Sequence, residues 1–215
     1  LCNGERSLSA RQVVLSGGAR ILPRLRELGL GLSLEAKTLS LRVARKKEDF
    51  QIAANNFERI ANAEKTQWLP NYYAAYALIM QVYSGADKKD IDALMDKADA
   101  LLANAESFSK DNSEITTLQA MTTQTRMMVD WSRGMTLGPK CNQLIKKAET
   151  QMPANNPRVW MFEAQTLYNT PEAFGGSKVK GKELMKKSLD FYNSFKLESE
   201  LHPNWGKEYV EKTLN

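Results

Sequence analysis

The stretch "ADALLANA", residues 98–105, sets a small residue, a large one and a second small one at offsets of four and three: Ala98, Leu102 and Ala105. Those offsets bring the three side chains onto one face of an α-helix. A small residue at each end of such a face lets a partner helix come close, and the large residue fills the space between. The pattern recurs in "AANNFERI" (53–60) as Ala53, Phe57 and an enlarged Ile60. It recurs again in "CNQLIKKA" (141–148) as Cys141, Ile145 and Ala148, and in "GKELMKKS" (181–188) as Gly181, Met185 and Ser188. The large positions lie 45, 43 and 40 residues apart. An internal period of that length marks stacked helical units, none of which buries its apolar face alone.

Around these four faces the chain alternates periodic segments and breakers. Helices are predicted over 49–63, 70–84, 89–108, 113–130, 138–151, 157–168, 177–195 and 203–214. Pro70, Pro157 and Pro203 fall at first-turn positions, where the missing N–H has no partner to lose. Ser113 and Asn156 are placed to cap. No alternating β-branched run argues for strands. The expected fold class is therefore all-α, a short right-handed α-solenoid of antiparallel helix pairs.

The spacing within each face resembles the second helix of tetratricopeptide-type repeats, and "ETQMPANNPRVWMFEAQTLY" (149–168) resembles a junction between two units. The period of 40–45 exceeds the ~34 residues usual for that repeat. Five segments taken together resemble a family of uncharacterised exported bacterial proteins of this repeat type. They are "FERIANAEKTQWLPNYYAAYA", "DNSEITTLQAM", "SRGMTLGPK", "TPEAFGGSKVKGKELMKKSL" and "ESELHPNWGKEYVEKTL". The resemblance covers about residues 48–215. It implies an exported or periplasmic protein and a module that binds other proteins, and it carries over no catalytic residue.

Residues 1–47 read differently. They hold ten Lys/Arg against three Asp/Glu, whereas residues 48–215 hold 20 against 22. The net charge of +5 thus comes from the N-terminal segment, expected to be a separate, atypical basic stretch that is disordered or foreign to the domain. The balanced body gives no support to nucleic-acid binding. No apolar run is long enough for a transmembrane segment. One histidine and two cysteines, Cys2 and Cys141, supply neither a zinc site nor a disulfide framework, and no cofactor is implied.

Four residues stand out as a candidate binding groove: Tyr72, Tyr73, Arg133 and Lys178. Tyr72 belongs to an aromatic stripe with Trp68, Tyr76 and Tyr83, Tyr73 stands next to it in the same segment, and tyrosines offer large, rigid contact area. Arg133 has the fork geometry that pairs with a carboxylate. Lys178 follows two glycines in "TPEAFGGSKVKG" (170–181). That loop lacks the strand and the glycine–lysine order of a Walker-type phosphate site, and it reads as a connector in which Phe174 drops onto the core and Ser177 caps the next helix. The expected function is a non-enzymatic protein- or peptide-binding module. The alternatives are a small-molecule-binding protein or hydrolase using the 170–181 loop with Arg133, and a structural assembly subunit.

Overall fold

The computed structural model describes residues 34–214. It is all-helical, and the described residues contain no strand. The α-helices are α1 (Leu34–Val43), α2 (Lys47–Ala63), α3 (Leu69–Tyr83), α4 (Ile91–Phe108), α5 (Ser113–Thr125), α6 (Gly134–Glu149), α7 (Pro157–Asn169), α8 (Lys178–Ser194) and α9 (Lys207–Leu214). Consecutive helices pack as neighbours: α2 on α3, α3 on α4, α5 on α6, and α7 on α8. The first helices of successive pairs also touch, α3 on α5 and α5 on α7.

These inner helices are buried nearly all round, for two different reasons. In α3 the sequence "LPNYYAAYALIMQVY" is apolar on every face, so the helix belongs in the interior. In α5, "SEITTLQAMTTQT" is rich in hydroxyls, and three of the buried threonines are satisfied within the helix itself. Thr117 donates to the Ser113 carbonyl at 2.6 Å, Thr123 to Gln119 at 2.9 Å and Thr125 to Met121 at 2.7 Å. A threonine that returns its O–H to the turn before it adds no unpaired donor to the core.

The outer helices carry the repeated faces, and those faces point inward. Ala53, Phe57, Ile60, Ala98, Leu102, Ala105, Cys141, Ile145, Ala148, Met185 and Ser188 are all buried. Gly181 shows why its position is small: a Cβ there would lie 2.8 Å from the Tyr168 Cβ and 3.0 Å from the Ala164 carbonyl oxygen. The α7–α8 crossing therefore has no room for a side chain.

Several expectations shift: α9 begins at Lys207, so Pro203 lies before it and not in its first turn; α5 ends at Thr125 and not at 130; and Asn112, not Ser113, caps α5. Helix α6 begins at Gly134, four residues before the expected start, because the backbone runs helically from the short 3₁₀ turn Trp131–Arg133 and carries Pro139 inside the helix. At the N-terminal boundary, residues from Leu34 onward join the core. Leu34, Leu41 and Ala44 are buried in the main cluster, and α1 packs against α2 and α3. The part of the basic segment before Leu34 lies outside the described residues.

Candidate functional site

The tyrosine stripe does not line an open groove. Residues 195–206, between α8 and α9, fold back over the inner helices and cover Trp68, Tyr72, Tyr73 and Tyr76, while Tyr83 stays 42% exposed. Tyr73 donates to the Leu201 carbonyl at 2.6 Å, and the Trp205 indole N–H donates to the Tyr72 hydroxyl at 2.9 Å. The Trp205 ring stacks on Tyr76 with centroids 4.7 Å apart, and His202 meets the edge of Trp68. Tyr192 donates to the Trp205 carbonyl at 2.9 Å. Trp205 thereby ties the chain's end to α3, reaching Tyr72, 133 residues upstream of it. Tyr72 and Tyr73 are consequently interior residues, and burial pushes both phenols well above the ordinary tyrosine range.

Beneath this strap lies a buried ion pair. Arg158, from the first turn of α7, meets Glu114, from the first turn of α5, at 2.7 and 2.9 Å from Nε, with Nη2 also on the carboxylate. Asn112 and Asn156 cap the two helices by accepting the backbone N–H of Glu114 and Arg158 respectively, which holds both side chains at parallel helix starts. Asn156 also donates to Ser113 at 3.0 Å. Glu114, Arg158, Asn156 and Ser113 are all buried and bonded to one another, which makes this centre a structural network.

The surface tells a different story at one end of the helix pairs. The connections α3–α4, α5–α6 and α7–α8 all emerge at the same end. The α5–α6 connection is tied to α4 by ion pairs. Arg133 forks onto Asp92 of α4 at 2.7 and 2.9 Å, and Arg126 reaches Asp96 at 2.8 Å and Asp99 at 2.7 Å. The Arg133 guanidinium holds the Asp92 carboxyl below the usual carboxylate range. Asp130 accepts the Ser132 N–H at 2.9 Å and is likewise held low, first by that hydrogen bond and in smaller part by Arg133 and Lys88. On this braced turn stand Trp131, 80% exposed, and Met135, 87% exposed. They are four residues apart along continuous helical backbone and so share a face. Met128 is exposed just before them.

The α7–α8 connection is built as a tight turn. Gly175 has φ +87°, and at Gly176 a Cβ would sit 1.7 Å from the Thr170 carbonyl oxygen. Ser177 caps α8, as expected, by accepting the Lys180 N–H. Phe174 does not drop onto the core. The left-handed turn directs it outward, 79% exposed, with Val179 also exposed.

A separate open groove of about 630 Å³ lies between the starts of α2 and α4. Its walls include Ile52, Ala86, Ala93 and Leu94, with Gln51 and Gln81 also lining it. Among the described residues no group of His, Cys, Asp and Glu is placed to hold a metal ion, and no helix is long and apolar enough to cross a membrane.

Of the four candidate residues, then, Tyr72 and Tyr73 are sealed under the strap. Arg133 clamps an internal carboxylate, and Lys178 opens α8 at another tip. They do not converge, which also leaves the pairing of Arg133 with the 170–181 loop without a shared pocket. Sequence reasoning passed over Trp131 and Met135. The available signal was two large apolar residues four apart in "DWSRGMTLGP", a stretch otherwise made of turn formers and polar groups.

The fold and surface define an all-helical protein of paired helices that displays an aromatic and thioether tip. No protein-family model and no curated protein matches the chain. Among solved structures it is similar to the HusA haemophore from Porphyromonas gingivalis, with a TM-score of 0.76 and 30% identity over 84% of this chain and 89% of that one. The chain belongs to the same family as that haemophore.

Proposed function

We propose that this protein is a non-enzymatic carrier that binds haem or a related porphyrin at the exposed tip bearing Trp131, Met135 and Met128. The likeness to a haemophore carries the reading. The chemistry of the tip agrees with it. A porphyrin is a flat aromatic ring with two carboxylate arms. An exposed indole offers a stacking face, and two thioethers are polarizable contacts and known iron ligands. Lys88, exposed and near enough to Asp130 to affect its ionisation, supplies a cation for a carboxylate arm. Exposed apolar residues held on a braced turn match a binding site better than a packing accident.

The chain's histidine is not available as an axial ligand. His202 belongs to the strap itself: Nδ1 lies 2.9 Å from the Ser199 hydroxyl, Nε2 lies 3.2 Å from the Glu198 carboxylate, and the ring packs on Trp68. Any iron ligand at the tip would be Met128 or Met135. The arrangement of successive pairs reads as a short right-handed solenoid, supported by the contacts of α3, α5 and α7 along its inside. In that arrangement the inner face, where a peptide would ordinarily lie, is taken by the protein's own residues 195–206.

Titration of the full chain with haemin tests the proposal. The reading requires a saturable shift of the Soret band with quenching of tryptophan emission at one equivalent. Linear, non-saturating changes identical to those with an unrelated helical protein would refute it.

A further inference from the structure

The groove between α2 and α4 has features that the porphyrin tip lacks. Its apolar wall is Ile52, 60% exposed, with Ala86, Ala93 and Leu94. Three carboxylates line it: Glu48, Asp87 and Asp90. None of the three makes an ion pair or a side-chain hydrogen bond among the described residues. Asp87 and Asp90 stand at cap positions, of the 3₁₀ turn Lys88–Asp90 and of α4, yet neither side chain accepts a capping N–H. Of the two lysines lining the groove, Lys97 is already paired with Glu58 at 2.6 Å, leaving Lys47 as the free cation there. Gln81 donates to Gln51 at 2.9 Å, but its own Oε1 is buried without a donor.

These observations converge on one chemistry. The wall wants an aliphatic stem, and the rim wants positive charge. We infer that this groove is a docking site for a basic, amphipathic peptide segment of a partner protein, one that presents leucine-like side chains alternating with lysine or arginine. Aliphatic side chains lie against Ile52 and Leu94. Ammonium or guanidinium groups meet Asp87, Asp90 and Glu48. The groove adjoins the porphyrin tip at Lys88, between Asp87 and Asp90, but its occupant is tested separately from the porphyrin.

The test is calorimetric titration of the full chain with a blocked octapeptide of alternating leucine and lysine, beside its leucine–glutamate counterpart. The lysine peptide binds saturably, and the affinity falls as salt rises. The pair Asp87→Asn with Asp90→Asn weakens it at least tenfold, while Trp131→Ala leaves it unchanged. Ile52→Ser, on an exposed position that does not threaten folding, weakens it as well and guards against a misfolded double variant. Absence of binding, equal binding of the glutamate peptide, or affinity unchanged in both groove variants would overturn the assignment.

Discussion

Arg158 and Glu114 face each other in the interior, 44 residues apart in sequence, with side chains only 1% and 3% exposed. Two charges removed from water this completely depend on each other. Removing one partner strands the other. Glu114→Gln or Arg158→Met alone should lower unfolding stability by about 3–5 kcal/mol. The double variant should recover part of that loss, because no lone charge remains. Urea denaturation of the three variants measures it. A double variant as unstable as the sum of the singles would show that the pair is not the source.

The strap predicts a second effect. Trp205 stacks on Tyr76 and donates to Tyr72, so Trp205→Ala removes packing and leaves a buried phenol short of a partner. A loss of about 3 kcal/mol is expected, at the lower end for a large aromatic because Trp205 is only partly buried. Tyr72 and Tyr73 should then titrate at lower pH in ultraviolet difference spectra. An unchanged phenol titration would mean the strap does not seal the stripe.

The repeated small positions give a third. Ala98 is fully buried on the inward face of α4. Ala98→Leu should cost about 1–3 kcal/mol by overpacking. An unshifted denaturation midpoint would contradict the observed register.

His202 makes the strap sensitive to acid. Burial holds this histidine below its ordinary value of 6.5, with Glu198 opposing the shift. The unfolded chain therefore takes up its proton first as pH falls. Stability should decline from about pH 6.5 downward, until the folded form also protonates. Thermal midpoints measured from pH 7.5 to 5 should fall less steeply in His202→Gln than in the parent. Equal slopes would remove His202 from the account.

Cys141 offers a chemical check on the core. Burial raises its thiol to about 12, so the reactive thiolate is scarce at neutral pH. Iodoacetamide followed by peptide mapping should leave Cys141 unmodified in the native protein and label it in guanidinium. Rapid labelling of the folded protein would show that the α5–α6 contact is open.

The helices were legible because their information is local. Offsets of four and three mark one face whatever the rest of the chain does, and Ala98, Ile145 and Met185 all turned inward as that pattern demands. First-turn prolines at 70 and 157 fixed two of the starts. What could not be read was long-range. Nothing near Tyr72 says that Trp205 will cover it, since that contact depends on how residues 195–206 cross the finished stack. Phe174 looked like a core residue because it is large and apolar. Its direction is set by Gly175 in the left-handed region, a property of one turn rather than of periodicity. Trp131 was hidden for the opposite reason: only the finished packing shows which apolar side chain is left without a neighbour.

The central claim is that the tip carrying Trp131 binds a porphyrin, and the most direct measurement compares haemin titrations of the parent with those of Trp131→Ala and Met135→Ala. Both side chains are exposed, so neither variant should alter the thermal midpoint appreciably. The account predicts saturable binding by the parent and affinity about tenfold or more weaker in Trp131→Ala, the size expected when an anchoring aromatic is truncated. Saturable binding with the same dissociation constant in all three proteins would place the porphyrin elsewhere, and no saturable binding in the parent would contradict the account outright.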